Sequence, residues 1–324
     1  MDAPPPVVPR SSSIPIHGGD FWAFLCTLGG LIPLAASLAG DGAPWWTDLM
    51  SPFALHSALA LAMAALVWMI RQRPIFAAIA GAALAVQLMR IQPLYSADVP
   101  PPTSPERLTI LQLNIYYANQ SYTDLVGLIA GSDAEIIVVE ELTREMDLAL
   151  EALPPPWTRW ASKPDRDSFG IGVWSRLTAT STRVRQLGGA FPVIEATFPW
   201  DGGELMLIGA HALPPVDEDA TARHREHLAE LATWGRSSTV SAIVVGDFNA
   251  TLWSSGYLGF ERVGLHSAAL GHGYGGTWPS ALGVLGIPID HVMIPRGLLA
   301  VQHEVFEIPG SDHRGLRVVL APAR

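Results

Sequence analysis

The sequence predicts an α/β protein in which a layered sandwich of mixed sheets follows an α-helical region that crosses a membrane. Two observations predict this division. Residues 21–92 contain only five charged side chains, whereas the rest of the 324-residue chain alternates between polar and apolar segments. In that second part strands outnumber helices and several strands follow one another directly, which favours mixed sheets over a doubly wound parallel sheet.

Three apolar stretches approach the ~20 residues that a helix needs to cross the bilayer core. They cover residues 21–39, 52–70 and 74–92. A buried helical hairpin in a soluble protein is the alternative, but such helices normally carry a polar face, and these stretches do not. We therefore expect a membrane anchor with three transmembrane helices over residues 21–92.

Charge in the short loops predicts the orientation of this anchor. The turn 71–74 contains Arg71 and Arg73, and basic loops face the cytoplasm. The loop 41–48 has no Lys or Arg, which suits the opposite side. Three crossings then place the C-terminal part outside the cytoplasm, which is the periplasm in a bacterium.

The N-terminus allows a rival interpretation. Ser37-Leu38-Ala39 resembles the cleavage site of a signal peptide, but the apolar run before it is longer than the usual ~7–15-residue signal core. We expect the helix to be retained. Residues 1–20, with five prolines, are expected to form a flexible tail.

Residues 93–106 read as a stiff Pro-rich linker without helix or strand, and residues 107–324 as one folded domain. Within that domain, apolar periodicity predicts two helices, at 122–130 and 217–234. It predicts strands at 108–115, 135–139, 170–174, 193–199, 204–211, 242–245, 289–294 and 316–320.

Charge and cysteine content restrict the function. From Gln92 onward there are 26 Asp and Glu against 16 Lys and Arg, a net charge of −10, and Lys163 is the only lysine of the chain. Proteins that grip nucleic acid non-specifically are usually basic, so this balance weighs against a long polyanion track. Cys26, the single cysteine, excludes an internal disulfide and a cysteine nucleophile in the C-terminal domain.

Polar residues recur at the ends of the predicted strands, where a rigid backbone can hold a catalytic site. Their carboxylate, amide and imidazole groups are those of phosphoryl chemistry with Mg²⁺, or with Mn²⁺ or Ca²⁺. The set consists of Asn114, Glu140, Glu141, His211, Asp247, Asn249, Asp290, Asp312 and His313.

The ordered set resembles the endonuclease/exonuclease/phosphatase family over residues 107–322. The resemblance rests on five motifs: Leu111-Gln-Leu-Asn114, residues 136–142, Gly246-Asp-Phe-Asn-Ala-Thr251, Ile289-Asp-His-Val292 and Gly310-Ser-Asp-His-Arg314. It implies a four-layer α/β/β/α sandwich of two mixed sheets and divalent-metal-dependent hydrolysis of a phosphoester.

The resemblance also implies a role for each position. The implied metal ligands are Glu141, Asn114 and Asp312, and Glu140 stands where the family has Gln. The implied catalytic histidine is His313, which Asp290 orients. Asp247 and Asn249 are implied to position the attacking water and the phosphoryl oxygens, and the resemblance leaves open whether Asp247 or His313 takes the proton. His211 is implied to contact the phosphate or the leaving oxygen. Trp278, after a Gly-rich loop, is a candidate for the substrate pocket, and simple packing is its alternative.

The leading hypothesis is a membrane-anchored phosphodiesterase or phosphatase in which water attacks in line. The anchor and the acidic domain favour a lipid head group or a small diester over nucleic acid. A metal-dependent nuclease and a non-catalytic membrane module that keeps the fold are the alternatives. His224 and His227 lie in a charged helix without an HExxH pattern, so we expect them on a solvated face.

Overall fold

The computed structural model describes residues 18–40, 42–97, 101–187, 191–237 and 241–323. A group of apolar helices precedes two mixed sheets that stack on each other, with helices on both outer faces. The first helix begins at Gly18, and the remainder of the predicted tail 1–20 lies outside the described residues.

Three helical spans are long and apolar enough to cross a membrane, within the part of the chain that the structure describes. The helices are α1 (Gly18–Leu38), α2 (Trp46–Met50), α3 (Ala54–Ile70) and α4 (Pro74–Ile91), and a 3-10 turn, Ser51–Phe53, joins α2 to α3. The backbones of α1 and α3 approach closely at Gly30, where a Cβ would lie 2.4 Å from Leu61 Cγ. Ser57 Oγ donates a hydrogen bond of 2.7 Å to the Gly30 carbonyl at the same crossing.

The expectation of no helix in the linker 93–106 is wrong at its start. Pro93–Ser96 form one helical turn, α5, because Leu94 is buried between the end of α4 and the following sandwich. Pro100, part of the proline run, lies outside the described residues.

The remaining elements form the sandwich, the name used below for residues 101–323. Its helices are α6 (Tyr122–Gly131), α7 (Arg144–Ala149), α8 (Glu218–Ser237) and α9 (Leu258–Arg262). Its strands are β1 (Leu108–Asn114), β2 (Ile136–Glu140), β3 (Thr158–Lys163), β4 (Ile171–Ser175), β5 (Ser181–Leu187), β6 (Phe191–Trp200), β7 (Gly203–Ala210), β8 (Ser241–Asp247), β9 (Leu265–Ser267), β10 (Asp290–Pro295), β11 (Leu298–Glu307) and β12 (Arg314–Pro322).

The two sheets have six strands each, in the orders β11-β12-β1-β2-β4-β3 and β5-β6-β7-β8-β10-β9. Each contains one parallel pair, β1 with β2 and β7 with β8, and is otherwise antiparallel. The predicted mixed sheets are confirmed.

Three apolar layers hold the sandwich together. One lies between the sheets and includes Ile110, Val138 and Val245, all fully buried. The outer face of the first sheet packs on α6 and α7, and that of the second packs on α8 and α9. Central strands that are buried on both faces consist of continuous apolar runs, which explains why the sequence predicted them.

Four strands were not predicted. β3 and β5 are edge strands in which every residue is exposed or partly exposed, so they lack the apolar alternation on which the prediction depended. β9 has only three residues, and the outer half of β11 is partly exposed. These strands widen the sheets but do not carry the polar residues of the predicted site.

Candidate active site

The ends of the central strands meet at one edge of the sandwich. Asn114 ends β1 and pairs with Glu140 at the end of β2, while Asp247 ends β8 and pairs with Asp290 at the start of β10. Asn114 Nδ2 donates to Asp247 Oδ2 at 3.0 Å, which joins the two sheets at this edge. The predicted residues of both sheets are therefore brought together.

The backbone around these residues adopts rare conformations. Tyr116, Glu141 and Asn249 have φ of 62°, 55° and 48°, a region that non-glycine residues seldom occupy. Gly246 precedes Asp247 with a φ of 148°, and a Cβ there would lie 1.8 Å from the Ala210 carbonyl oxygen. Such conformations persist only where the surrounding structure enforces them, and they concentrate at functional sites.

Asp247 is the centre of the polar network. Its Oδ1 accepts from the Asn249 backbone N–H at 2.8 Å, and its Oδ2 lies 3.5 Å from His211 Nε2 and 3.7 Å from His313 Nε2. Burial, together with the neighbouring Asp290 carboxylate, raises the pKa of Asp247 to about 7. A carboxyl group with that pKa can accept a proton near neutrality.

His313 and Asp290 form a buried pair. His313 Nδ1 lies 3.0 Å from Asp290 Oδ2, so the imidazole donates there and presents Nε2 to the cavity. Burial by itself would lower the pKa of His313, but the carboxylates of Asp290, Asp247 and Asp312 outweigh it and raise the pKa to about 10. Although burial opposes ionisation of Asp290, the charge of His313 and hydrogen bonds from His313, Thr277 and Gln112 hold its pKa below the usual value.

The three predicted metal ligands lie around the same centre. Glu141 accepts from Asn114 Nδ2 at 3.2 Å and from the Tyr117 backbone N–H at 2.9 Å, and burial raises its pKa. Asp312 Oδ2 accepts from Trp278 Nε1 at 3.1 Å, while its Oδ1 is buried without a partner among the described residues.

A different subset forms the tightest cluster of potential metal ligands. Ligand atoms of Asp247, Asp290 and His313 all lie within 4.8 Å of one another. Because His313 Nδ1 is engaged by Asp290, this cluster offers a cation only the free carboxylate oxygens and Nε2. The orphaned Oδ1 of Asp312 and the anionic donors nearby fit a hard divalent cation.

The side chains of the neighbouring residues Glu140 and Glu141 lie in different surroundings, and the backbone turns at Glu141, where φ is 55°. Glu140 is fully buried and accepts from Gln112 Nε2 at 3.0 Å, whereas Glu141 lines the cavity. Gln112 also donates to Asp290 Oδ1 at 2.7 Å. Sequence reasoning missed Gln112, although its position two residues before Asn114 on the same strand face could have identified it.

His211 is held in one tautomer. Its Nδ1 lies 2.9 Å from the Ser168 carbonyl oxygen, to which it donates, and burial lowers the pKa of the ring. The neutral ring therefore presents an unprotonated Nε2, which faces the side-chain nitrogen of Asn249 at 3.4 Å.

The cavity beside this network has a volume of about 440 Å³. Trp278 is 37% exposed on its wall, with its ring 6.5 Å from that of His313, so it lies where the sequence placed a pocket residue. No sequence pattern indicated that residues of the anchor line the cavity, and four of them do: Asp48, Leu49, Pro52 and Phe53.

The expectation for His224 and His227 is wrong. Both are fully buried on the inner face of α8, where His224 Nδ1 lies 2.6 Å from the Leu213 carbonyl oxygen and His227 stacks on Phe191. The charged residues of α8 lie on its other face, and because they dominate its composition, the sequence wrongly predicted that both histidines are solvated.

A family model described as the Endonuclease/Exonuclease/phosphatase family matches residues 111–313. A comparison with curated protein sequences gave no match. Among solved structures, a protein of that family from Bacteroides thetaiotaomicron is 16% identical with a TM-score of 0.54, and the match covers 68% of this chain and 96% of that one.

Two further solved structures contain nucleic acid. The 3' phosphatase NExo from Neisseria, bound to a product DNA hairpin, is 16% identical with a TM-score of 0.53 and covers 65% of this chain and 98% of its own. D. rerio TDP2, complexed with a single-strand DNA product, is 14% identical with a TM-score of 0.53 and covers 66% and 99%. At such identities the similarity shows the shared fold.

Proposed function

The chain belongs to the Endonuclease/Exonuclease/phosphatase family, and from that premise we propose that it is a membrane-anchored, divalent-metal-dependent phosphoester hydrolase in which water attacks the phosphorus in line.

One observation carries this proposal. Glu141, Asp247 and Asp312 line the cavity and Asp290 lies behind His313, whereas no Lys or Arg is among the lining residues. A site of this charge repels a phosphate group unless a cation joins it. A bound divalent cation would neutralise the carboxylates and polarise the phosphoryl oxygen.

Glu141, Asn114 and Asp312 are the proposed ligands of that cation. Glu141 is held in the cavity by two donors, and Asp312 has an unpartnered oxygen. We leave Asp290 and His313 out of the ligand set because their mutual hydrogen bond orients the imidazole for contact with the substrate.

Separate residues then accept and donate the protons of the reaction. Asp247 accepts the proton of the attacking water, for which its pKa near 7 is suited. His313, kept protonated by Asp290, donates from Nε2 to a phosphoryl oxygen. Asn249 positions the phosphoryl group, and His211 becomes a donor to the leaving oxygen only when a second proton reaches its Nε2.

The arrangement of the anchor supports an extracytoplasmic site. The start of α3 and the end of α4 both contact Trp253 of the sandwich. The basic turn with Arg71 and Arg73 lies at the opposite end of α3, about 26 Å away for 17 helical residues. If the basic turn is cytoplasmic, the sandwich is on the other side of the membrane.

We further propose a lipid head group or small diester as substrate in preference to nucleic acid. Helices inserted in a bilayer would hold the cavity beside it, because residues of the anchor line the cavity, and the acidic composition disfavours a long polyanion. The DNA complexes of NExo and TDP2 make a nuclease the alternative to be tested.

The test uses the full-length protein in detergent with Mg²⁺, Mn²⁺ or Ca²⁺. Its substrates are bis(p-nitrophenyl) phosphate, a monoester, phospholipids and single- and double-stranded DNA, and His313→Ala serves as the inactive control. We expect metal-dependent release from a diester that His313→Ala lacks. Preferential cleavage of DNA would assign the nuclease function, and no turnover of any substrate with any ion would refute the proposal.

A further inference from the structure

One wall of the cavity is built by the membrane anchor. Leu49 comes from α2, and Pro52 and Phe53 come from the turn that leads into α3. These three residues, called the anchor wall below, are apolar and line the same cavity as Asp247 and His313. A simple tether would not reach into the site.

Buried polar contacts fix the anchor wall in place. Asp48 is 2% exposed and accepts from Arg225 Nε at 2.5 Å and from Ser255 Oγ at 2.7 Å. Three residues further on, Ser51 Oγ lies 2.9 Å from Ser254 Oγ. Hydrogen bonds of Asp48 and Ser51, on either side of Leu49, therefore hold the anchor wall against the sandwich.

These contacts reach the chain that carries the catalytic groups. Ser254 Oγ also accepts from the Thr251 backbone N–H at 3.0 Å, only two residues after Asn249. Trp253, between these contacts, packs on Ala54 and donates from Nε1 to the Arg90 carbonyl oxygen at 3.1 Å. The anchor and the loop after β8 therefore form one packed unit.

The cavity has further apolar lining with exposed side chains. Val216, which lines the cavity, is 57% exposed, and Leu49 is 36% exposed. Neither side chain is used by the proposed hydrolysis. Phe53 directly precedes Ala54, the first residue of α3, so the cavity that His313 lines adjoins the end of a helical span long and apolar enough to cross a membrane.

We propose that the anchor wall determines specificity, because it takes the apolar part of an amphiphilic phosphoester that enters from the bilayer. The phosphate then lies at Asp247 and His313, and the hydrocarbon lies on Leu49, Phe53 and Val216. This inference rests on the proposed hydrolase function and adds the class of substrate and the residues that select it. The anchor is accordingly part of the active site.

The test varies only the apolar arm of the substrate. Full-length protein in detergent is assayed with p-nitrophenyl phosphodiesters whose second arm is methyl or hexyl, both below their micellar concentration. One buried methylene group is worth about 0.8 kcal/mol, or about fourfold. Covering three or four of them predicts a kcat/KM about 100-fold higher for the hexyl ester.

Phe53→Ser and Leu49→Ser are expected to lower the hexyl-to-methyl ratio at least tenfold. Leu148→Ser, at an exposed residue of α7 that does not line the cavity, is the matched control and is expected to keep the ratio. A ratio near 1 in the natural protein would overturn the inference. A ratio that the two anchor-wall variants leave unchanged would also overturn it, even if both esters are cleaved more slowly.

Two further experiments identify the group that occupies the anchor wall. In phosphatidylglycerol nanodiscs, bilayer lipid should compete for the anchor wall and lower the hexyl-to-methyl ratio relative to detergent, whereas an equal ratio would refute entry from the bilayer. A thymidine p-nitrophenyl diester preferred over the hexyl ester would assign the wall to a nucleobase and overturn the inference. Cleavage of both alkyl esters without chain preference refutes this inference alone, while absence of any cleavage refutes the proposed function.

Discussion

Gln112 links the two buried carboxyl groups behind the site, and its replacement by leucine tests the network directly. Gln112 Nε2 donates to Glu140 Oε2 at 3.0 Å and to Asp290 Oδ1 at 2.7 Å. The lowered pKa of Asp290 favours an ionised acceptor, whereas burial raises the pKa of Glu140 well above its usual value and favours a neutral acceptor there. Hydrogen bonds to charged and neutral groups contribute about 1.5–3 and 0.5–1.5 kcal/mol.

Gln112→Leu is therefore expected to lower the free energy of unfolding by about 2–4.5 kcal/mol, the sum of these two contributions. It should also reduce kcat by about 10–100-fold, because Asp290 loses one of the contacts that orient His313 and small misplacements are costly in catalysis. Thermal denaturation in detergent and bis(p-nitrophenyl) phosphate hydrolysis measure the two effects.

Gln186→Leu makes the same chemical change at an exposed position of the edge strand β5 and is the control. If Gln112→Leu is as stable and as active as this control, then Gln112 does not support the carboxylates and the account of the network is wrong.

Three other predictions follow from the site. His313→Ala and Glu141→Ala should each lower kcat by about 10²–10⁴-fold with unchanged circular dichroism, whereas Glu145→Ala on the exposed face of α7 should keep wild-type rates; wild-type rates in either site variant would refute the assignment. EDTA should abolish hydrolysis and Mg²⁺ or Mn²⁺ restore it, with Glu141→Gln needing more ion; activity that survives exhaustive chelation would exclude the metal. Gly246→Ala should lower the free energy of unfolding by about 3 kcal/mol or more, because its Cβ meets the Ala210 carbonyl. Gly264→Ala, where φ is 89° and no atom lies within 4 Å, should lower it by only about 1 kcal/mol. Equal melting temperatures of the two variants would contradict this.

The strands and residues that the sequence revealed have a common physical origin. Central strands such as β1, β2 and β8 are buried on both faces, so they read as apolar runs, and a polar residue at their ends stands out. In the edge strands β3 and β5 no side chain is buried, so the sequence shows no such contrast between a strand and its end. The part of the site mounted on central strands was therefore predictable.

Residues that act through long-range packing were not predictable. Leu49 and Phe53 look like ordinary membrane-anchor residues, and contacts between distant segments, such as that between Asp48 and Arg225, 177 positions apart, bring them to the cavity. His224 and His227 were misjudged for the same reason, since one face of α8 is buried while its composition is polar. A local sequence pattern shows which residues are apolar, but it does not predict which distant segment of the chain packs against them.

Glu140 shows how the structure accounts for a departure from the family pattern, in which Gln stands at this position. The side chain is fully buried, accepts one hydrogen bond from Gln112, and has its second oxygen unpartnered among the described residues. Burial and then the Asp290 and Asp247 carboxylates raise its pKa well above the usual value, which favours the protonated carboxyl, a group that resembles an amide in charge and shape.

Glu140→Gln is therefore expected to keep kcat within about threefold, a change of less than 1 kcal/mol in the barrier. Because the folded pKa is raised above the unfolded value, ionisation in the unfolded chain lowers the stability of the natural protein as pH rises above about 4.5. The variant lacks this loss, so its advantage in melting temperature over the natural protein should grow between pH 5 and pH 8. An advantage that is constant over this range, or a large fall in kcat, would show that Glu140 is ionised in the folded protein and that its charge, as well as that of Glu141, belongs to the site.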